Sequence, residues 1–533
     1  MSSLLVPARV HVRAEAVSTA SPLATSAAFH MLREGGNAVD AAVAAAWALC
    51  VCEPAGSGVG GQTTMLVRLA DGRTVVIEGH SRAPASVSRQ TVSAREQRQG
   101  HRSCTVPSTP ATLEYVSKTY GRLAPLRHLD TAIALAEDGF ALTRLQCRQI
   151  RWVAGYLKED TLGQRVFLRE QRLPKAGDVI RQPELARTLR HFAEHGAEDF
   201  YCGHIARDIV EDIDSHGGLL TAQDLREAAR PIEREPLVGR YGGHSIATAP
   251  PPSGGATLLL ALRFVEHLRA AGMCDCRLAA AVAARAAFWD RDLRPMAPSA
   301  TLAEIIEWLG SASASTLATM KAPDRVPAGR AAEEPGETTH LCVSDRWGNV
   351  VTLTQSIQSL FGAKKAHPRL GFFYNNYLCA CPRRRHPYRL DGGCLPRSNL
   401  APTIVFGSDG QHPLRLALGG AGSRRITSAV LQVIVRVMDG ASIEGAVAAP
   451  RAHGLKSGTL WIEQPVPDGR LMDQFRDRFA PIVTKRTCDY SMGCVQAIEF
   501  SSDGAVRAAA DPRRDGEAAV TPVSEPAGGP WEM

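Results

Sequence analysis

The chain changes character at one point, and that point limits what it can fold into. KAPDRVPAGRAAEEPGE, residues 321–337, contains almost no bulky apolar side chain and cannot bury enough surface to order itself. Directly behind it, TTHLCVSDRWGNVVTLTQS, residues 338–356, reads as two β-type runs, 339–344 and 350–356, folded about the Trp347-Gly348-Asn349 turn. A soft, charged stretch therefore runs straight into a strand at Thr338. Any fold for this chain must seat the start of a buried strand at the end of a linker.

On either side of the junction the patterns differ. Residues 24–34 and 39–51 are Ala-rich helical runs, the first closed by Gly35-Gly36 and the second stopping before Pro54. TMLVRLADGRTVVIEG reads as a hairpin turning at Asp71-Gly72. The Gly-rich SGVGG before it lacks the GxGxxG spacing and a surrounding βαβ unit, so no dinucleotide site is expected. Beyond the junction, 403–406 and 414–418 read as strands, and 423–438 as an amphipathic helix with Ser423 as its cap and Gly440 past its end. Strands with helices grouped apart from them indicate a layered α+β core, and 533 residues suffice for a large one. There is no internal repeat.

Composition excludes several classes. The longest apolar run, 41–52, falls short of the roughly 18 to 20 residues a membrane span needs and is expected as a buried helix. The N-terminus, MSSLLVPARVHVRAEA, lacks the basic and long apolar segments of a signal peptide, which leads us to expect a cytoplasmic protein. The 13 cysteines are odd in number and not spaced as a disulfide scaffold; the Cys-x-Cys pairs 50/52, 274/276 and 379/381 are too close-set for the usual zinc spacing, so no metal is expected. The net charge of +7 is spread along the chain except at Arg383-Arg384-Arg385, which has no interleaved aromatics of the kind a nucleic-acid groove uses. The expected partner is a small molecule, without cofactor, membrane or nucleic acid.

The junction also suggests chemistry. Cutting between Glu337 and Thr338 would give Thr338 a free α-amine beside its own hydroxyl, and that amine can serve as the base a weak hydroxyl nucleophile lacks. A Thr-Thr pair opening a strand is equally what β-propensity produces.

A resemblance decides between the two. GGNAVDAAVAAAWAL, EPAGSGVGG, VPSTPATLEYVSKTYGRLAPL, GGLLTAQDLREA, EREPLVGRYGG, PPPSGG, the 338–356 segment, NLAPTIV, GGAGSRRITSAVLQ and ADPRRDG follow one another in the order of the γ-glutamyltranspeptidase family, from Gly35 to Gly516. The resemblance implies a four-layer αββα N-terminal-nucleophile hydrolase fold that cuts itself into a large subunit, 1–337, and a small subunit, 338–533, which stay together as a heterodimer. Thr338 matches the nucleophile, and Ser356 a threonine that hydrogen-bonds it. Ala421 and Gly422 match the Gly-Gly oxyanion hole, whose donors commonly lower the barrier by about 3 to 4 kcal/mol. His340 matches a flanking residue rather than a base.

The headgroup positions depart from the family. The arginine that clamps a glutamyl α-carboxylate is replaced by His80, with Arg82 two positions on, and a neutral imidazole cannot make a bidentate carboxylate contact. The glutamine and acid that hold the α-ammonium correspond to Tyr377 and Ala380, and another acid corresponds to Arg369. The family's serine pair reads Ser398-Asn399. With Gln358, these residues form the expected substrate wall. Exchanging acids for Arg369, with Arg383 to Arg385 in the lid-like loop, points to an anionic substrate.

Three functions compete on this reading: hydrolysis or transpeptidation of γ-glutamyl compounds; the same nucleophile turned on a non-glutamyl acyl or keto-acid compound; and an unprocessed binding protein. Intact Thr338, Ser356 and Gly422 disfavour the third, and the two altered anchors favour the second. Pairing beyond the heterodimer is left open.

Overall fold

A computed structural model describes residues 14–168, 172–227, 230–311, 336–408, 414–501 and 503–522. Two antiparallel sheets form its centre. The first contains β1 (Ala14–Thr19), β2 (Gln62–Arg68), β3 (Thr74–Gly79), β4 (Ile232–Arg234), β7 (Gly336–Ser344), β8 (Val350–Ser359) and β13 (Glu517–Pro522), in the order β13-β1-β7-β8-β2-β3-β4. The second contains β5 (Leu237–Tyr241), β6 (His244–Thr248), β9 (Thr403–Phe406), β10 (Leu416–Ala421), β11 (Cys494–Phe500) and β12 (Val506–Ala510), in the order β12-β11-β10-β9-β6-β5. Both sheets are thus built from segments on either side of residue 338, so cutting there leaves two interleaved pieces rather than two separable domains.

The alternation of side chains along each strand produces four layers. On β7, Leu341 and Val343 join the core that contains helices α1 (Pro22–Arg33) and α2 (Ala38–Cys52), while Cys342 joins a core between the sheets. On β10, Leu416 and Leu418 face helices α4 (Gly255–Ala270), α5 (Cys276–Leu293) and α6 (Arg425–Met438), while Ala417 faces the first sheet. This is the αββα arrangement of the N-terminal-nucleophile fold. Helix α2 is buried along its whole length, as its all-round apolar sequence requires; Asn37 caps it and Asp40 closes the capping box. A further helix, α3 (His204–Ser215), packs at the periphery.

Local readings need three corrections. The strand expected from Thr339 begins at Gly336, because Glu337 and Gly336 pair with Gln358 and Ser359 across a bulge in β8. The second run correspondingly extends to Ser359. Ser423 does not cap α6: it takes a left-handed φ of 59°, and the helix begins at Arg425 without a side-chain cap. Of the linker reading, residues 321–335 lie outside the described residues. Among the described residues no helix is long and apolar enough to cross a membrane.

Candidate active site

Thr338 sits in β7 with its side chain buried, and strand alternation puts it on the inter-sheet face together with His340 and Cys342. Its Oγ1 donates to Ser356 Oγ at 3.3 Å. Ser356 Oγ in turn donates to the carbonyl oxygen of Glu337 at 2.6 Å and accepts the backbone N–H of Gln358 at 2.8 Å. One donor and two acceptor sites are what a hydroxyl has, so Ser356 is fully committed. The bulge between Gln355 and Gln358 creates this arrangement: it lets the strand pass Ser356 while Gln358, at φ 82°, turns its N–H back. Ser356 therefore touches both the Thr338 hydroxyl and the carbonyl on the other side of the Glu337–Thr338 bond.

The segment with Ala421 and Gly422, expected to form an oxyanion hole, lies alongside. A Cβ on Gly419 would fall 2.3 Å from the His340 ring, and one on Gly336 would fall 2.6 Å from Ser423 Cβ. Residues 419–423 thus run antiparallel along residues 336–340, which sets Ala421 beside Thr338. Gly422 has φ 117°, a conformation L side chains rarely adopt, and a Cβ there would meet Gly493 Cα at 3.0 Å. His340 is occupied structurally. Its ring lies between Thr354 Oγ1 at 2.8 Å and Thr352 Oγ1 at 3.0 Å, and burial pushes its pKa down to about 3.

Behind the scissile bond is a buried charge cluster that the sequence reading missed. Arg514 Nη1 donates to Thr338 O at 3.0 Å and pairs with Glu337 Oε2 at 2.8 Å; Glu53 Oε1 lies 3.7 Å away, and the Tyr490 hydroxyl donates to Glu337 Oε1. Burial works against the charge of Arg514, but Glu337, Tyr490 and the other acidic groups around it outweigh that and raise its pKa. Burial pushes Glu53 up to about 7, with Arg514 pulling the other way. The cluster anchors the residues on either side of that bond, through the Glu337 carboxylate and the Thr338 carbonyl oxygen. Its signals were present as Glu53 in EPAGSGVGG and Arg514 in ADPRRDG, charged residues inside tight Gly- and Pro-containing motifs.

The headgroup residues are scattered around this centre. Tyr377 is buried with its hydroxyl against Ser356 and Gln62, and burial raises its pKa. Gln358 Nε2 donates to Cys379 Sγ at 3.6 Å. The His80 side chain is only 5% exposed; its Nε2 lies 3.2 Å from Ser253 Oγ, and burial of the ring, helped by the charge of Arg234, lowers its pKa to about 3, so the ring is neutral. Ser398 is buried and accepts the Leu400 N–H, while Asn399 accepts from Arg291. Arg82 is exposed and donates to Gly393 O at 2.9 Å.

The arginines expected to form an anion-binding wall are not brought together with Thr338. The guanidinium of Arg369, more than half exposed, pairs with Asp208 and Glu211 of α3. Arg383 donates to the carbonyl oxygens of Val92 and Arg89, pinning one loop to another, and Arg384 and Arg385 are exposed. Acidic partners on a different element, unseen in the local sequence, claim Arg369.

Metal-ligand spacing among the described residues occurs at His101, Asp212 and His216, whose ligand atoms lie within 4.8 Å of one another. The two imidazoles stack at 4.3 Å with planes only 11° apart, so their lone pairs run side by side instead of converging on an ion.

Comparison with known proteins agrees with this geometry. The model of the family described as Gamma-glutamyltranspeptidase matches residues 24–521. The Glutathione hydrolase proenzyme of Escherichia coli (strain K12) is 29% identical over 93% of this chain and 90% of its own length. The Acylase ACY 1 proenzyme of Pseudomonas sp. (strain V22) is 31% identical over 95% and 93%. The crystal structure of cephalosporin acylase from Bacillus halodurans superposes with a TM-score of 0.82 at 26% identity, covering 97% of this chain and 98% of that one. A family model matched almost end to end, with a buried threonine in a central strand, a serine hydrogen-bonded to it and a positive-φ glycine nearby, makes this protein a member of the γ-glutamyltranspeptidase family, an N-terminal-nucleophile enzyme.

Proposed function

We propose that the chain is a self-processing threonine hydrolase whose substrate is a carboxylated acyl or keto-acid compound without a glutamyl headgroup. In the first step Thr338 Oγ attacks the carbonyl carbon of Glu337, the Ser356 hydroxyl stabilises the oxyanion, and the peptide C–N bond breaks as its nitrogen takes a proton. Water then hydrolyses the resulting ester, leaving fragments 1–337 and 338–533 and a free α-amine on Thr338. In turnover that amine is the base, the hydroxyl attacks the substrate carbonyl, and the N–H groups of Ala421 and Gly422 hold the oxyanion. A ketone forms the same oxyanion as an amide, so hydrolysis of a C–C bond, as in 4-alkyl-L-proline antibiotic pathways, is the finer form of this reading.

The substrate class is carried by one observation: the ring of His80, at the position of the family's carboxylate clamp, is enclosed and neutral. A neutral ring offers one hydrogen bond where an arginine offers two charged ones. With Tyr377 and Ala380 replacing the ammonium partners, a γ-glutamyl anilide is expected to turn over with kcat/KM on the order of 10³-fold below that of an enzyme with both anchors. Steady-state kinetics on processed protein tests this. Turnover at the level of a glutathione hydrolase would restore the amide reading, for which the relatives named glutathione hydrolase speak.

A further inference from the structure

The substrate reading needs a cation near the headgroup, and Arg369 does not supply one. Another arginine lines a cleft that the hydrogen-bond partner of His80 also lines. Ser253, which hydrogen-bonds His80, lines a cleft with Thr257, Arg291, His386, Tyr388 and Arg397, with about 20 Å³ of free volume, room for one small group. The wall leads back to the nucleophile. Ser356 pairs with Gln62 in the sheet, and Gln62 Oε1 accepts both the N–H and the hydroxyl of Ser81, the neighbour of His80.

Arg291 comes from α5 on the far side of the cleft. Its Nη1 donates to Thr257 Oγ1 at 3.3 Å and to Asn399 Oδ1 at 3.0 Å, while its Nε is buried with no partner and no bond engages Nη2 among the described residues. The edge left over, Nε with Nη2, is the one that grips a carboxylate through two parallel hydrogen bonds. No carboxylate lies within ion-pair distance of Arg291 among the described residues. The neighbouring Asp292 is already taken by Arg397 at 2.8 Å and by Lys456. Burial, together with the charges of Arg397 and Arg424, pulls the Arg291 pKa well below its usual value, the condition an incoming anion would relieve.

Two further donors face the same space. His386 is 8% exposed; its Nδ1 accepts the Tyr388 N–H, so its Nε2 carries the proton, and that N–H is buried without a partner. Helix α4, 16 residues long, begins at Gly255 with no side-chain cap, directing the positive end of its dipole at the cleft. Asn399, one of the departures from the family's serine pair, is the residue that orients Arg291. The loss at position 80 and the change at position 399 thus belong to one rearrangement.

We infer that this cleft is a carboxylate subsite in which Arg291, with His386 and the start of α4, binds an acidic group of the substrate from the side opposite His80. The inference rests on the hydrolase reading only for what lies at the other end of the substrate; the subsite binds an anion whether or not the chain is cut. Calorimetric titration of processed protein with glutarate, its diamide and inorganic phosphate tests it. Glutarate is expected to bind at least tenfold more tightly than the diamide, and Arg291→Gln to remove that difference while self-cleavage proceeds as in the wild type. Should Arg291→Gln not fold, His386→Ala reads the same quantity, with glutarate weakened several-fold and the diamide unchanged. Equal binding of glutarate and diamide, glutarate affinity untouched by either variant, or tighter binding of phosphate than of glutarate would each overturn the inference. A protein that never cuts itself yet binds glutarate through Arg291 would sink the hydrolase reading and leave the subsite standing; a protein that cuts itself and binds glutarate independently of Arg291 would do the reverse.

Discussion

The part of the site around Thr338 is made of strands, and the part expected to hold a headgroup is made of loops. Thr338, Ser356 and Ala421 lie in β7, β8 and β10, where the sheets' hydrogen bonds and the inter-sheet core fix each Cβ direction. A change there disturbs the register of a central strand as well as the chemistry. His80, Tyr377, Ser398 and Asn399 sit outside the two sheets, in loops or in a short 3₁₀ turn, where exchange costs contacts but no register. On the proposed reading, reaction type would be set by the strands and substrate class by the loops, so the two could change separately.

The sharpest way to break that contrast is at the nucleophile. Thr338→Ala is expected to leave the chain whole on denaturing gels and without hydrolytic activity, since it removes the hydroxyl proposed to attack the Glu337 carbonyl. A cleaved, active variant would move the reaction elsewhere. Next in size is Arg514→Met, which strands Glu337 and Glu53 as buried carboxylates without their cation. Urea unfolding is expected to show a loss of about 3 to 5 kcal/mol, with cleavage slowed as the Glu337 side chain and the Thr338 carbonyl lose their anchor. A loss under about 1 kcal/mol would mean that the cluster does not hold the strand start.

Ser356→Ala removes the donor on the Glu337 carbonyl and should slow self-cleavage by about 10²- to 10³-fold, the usual effect of deleting one oxyanion donor. Cleavage at the wild-type rate, followed by intact-mass spectrometry, would assign the oxyanion to other donors.

The buried histidines test the contrast by pH. Both His80 and His340 have folded pKa values near 3 against an ordinary 6.5, so the stability of the neutral rings is fully present above pH 6.5 and is lost as pH falls toward 3. At pH 5 each is expected to remove about 2 kcal/mol, read as a fall in the urea midpoint, and His80→Gln should halve the combined effect. Unchanged midpoints between pH 7 and pH 5 would mean that neither ring is buried neutral. The smallest effect is expected at Arg369→Ala: under about 1 kcal/mol of stability for an exposed ion pair, and under a twofold change in KM. A tenfold rise in KM would bring Arg369 back to the substrate and extend the headgroup end across the α3 surface.

The sequence by itself determined the strand pair that carries Thr338, helix α2, the hairpin 62–79 and the layered α+β class. Each is a local matter, readable from side-chain period, turn residues or an ordered motif. Tertiary structure decided which charges meet. Arg369 went to Asp208 and Glu211, Arg383 to backbone carbonyls, Arg514 to Glu337 and Glu53, and Arg291 to Asn399, through sequence separations of 108 to 461 residues. A strand carries its own pattern of burial, but an arginine's five donors show no preference in sequence for one carbonyl or carboxylate over another; only the packing of distant elements determines which comes within reach.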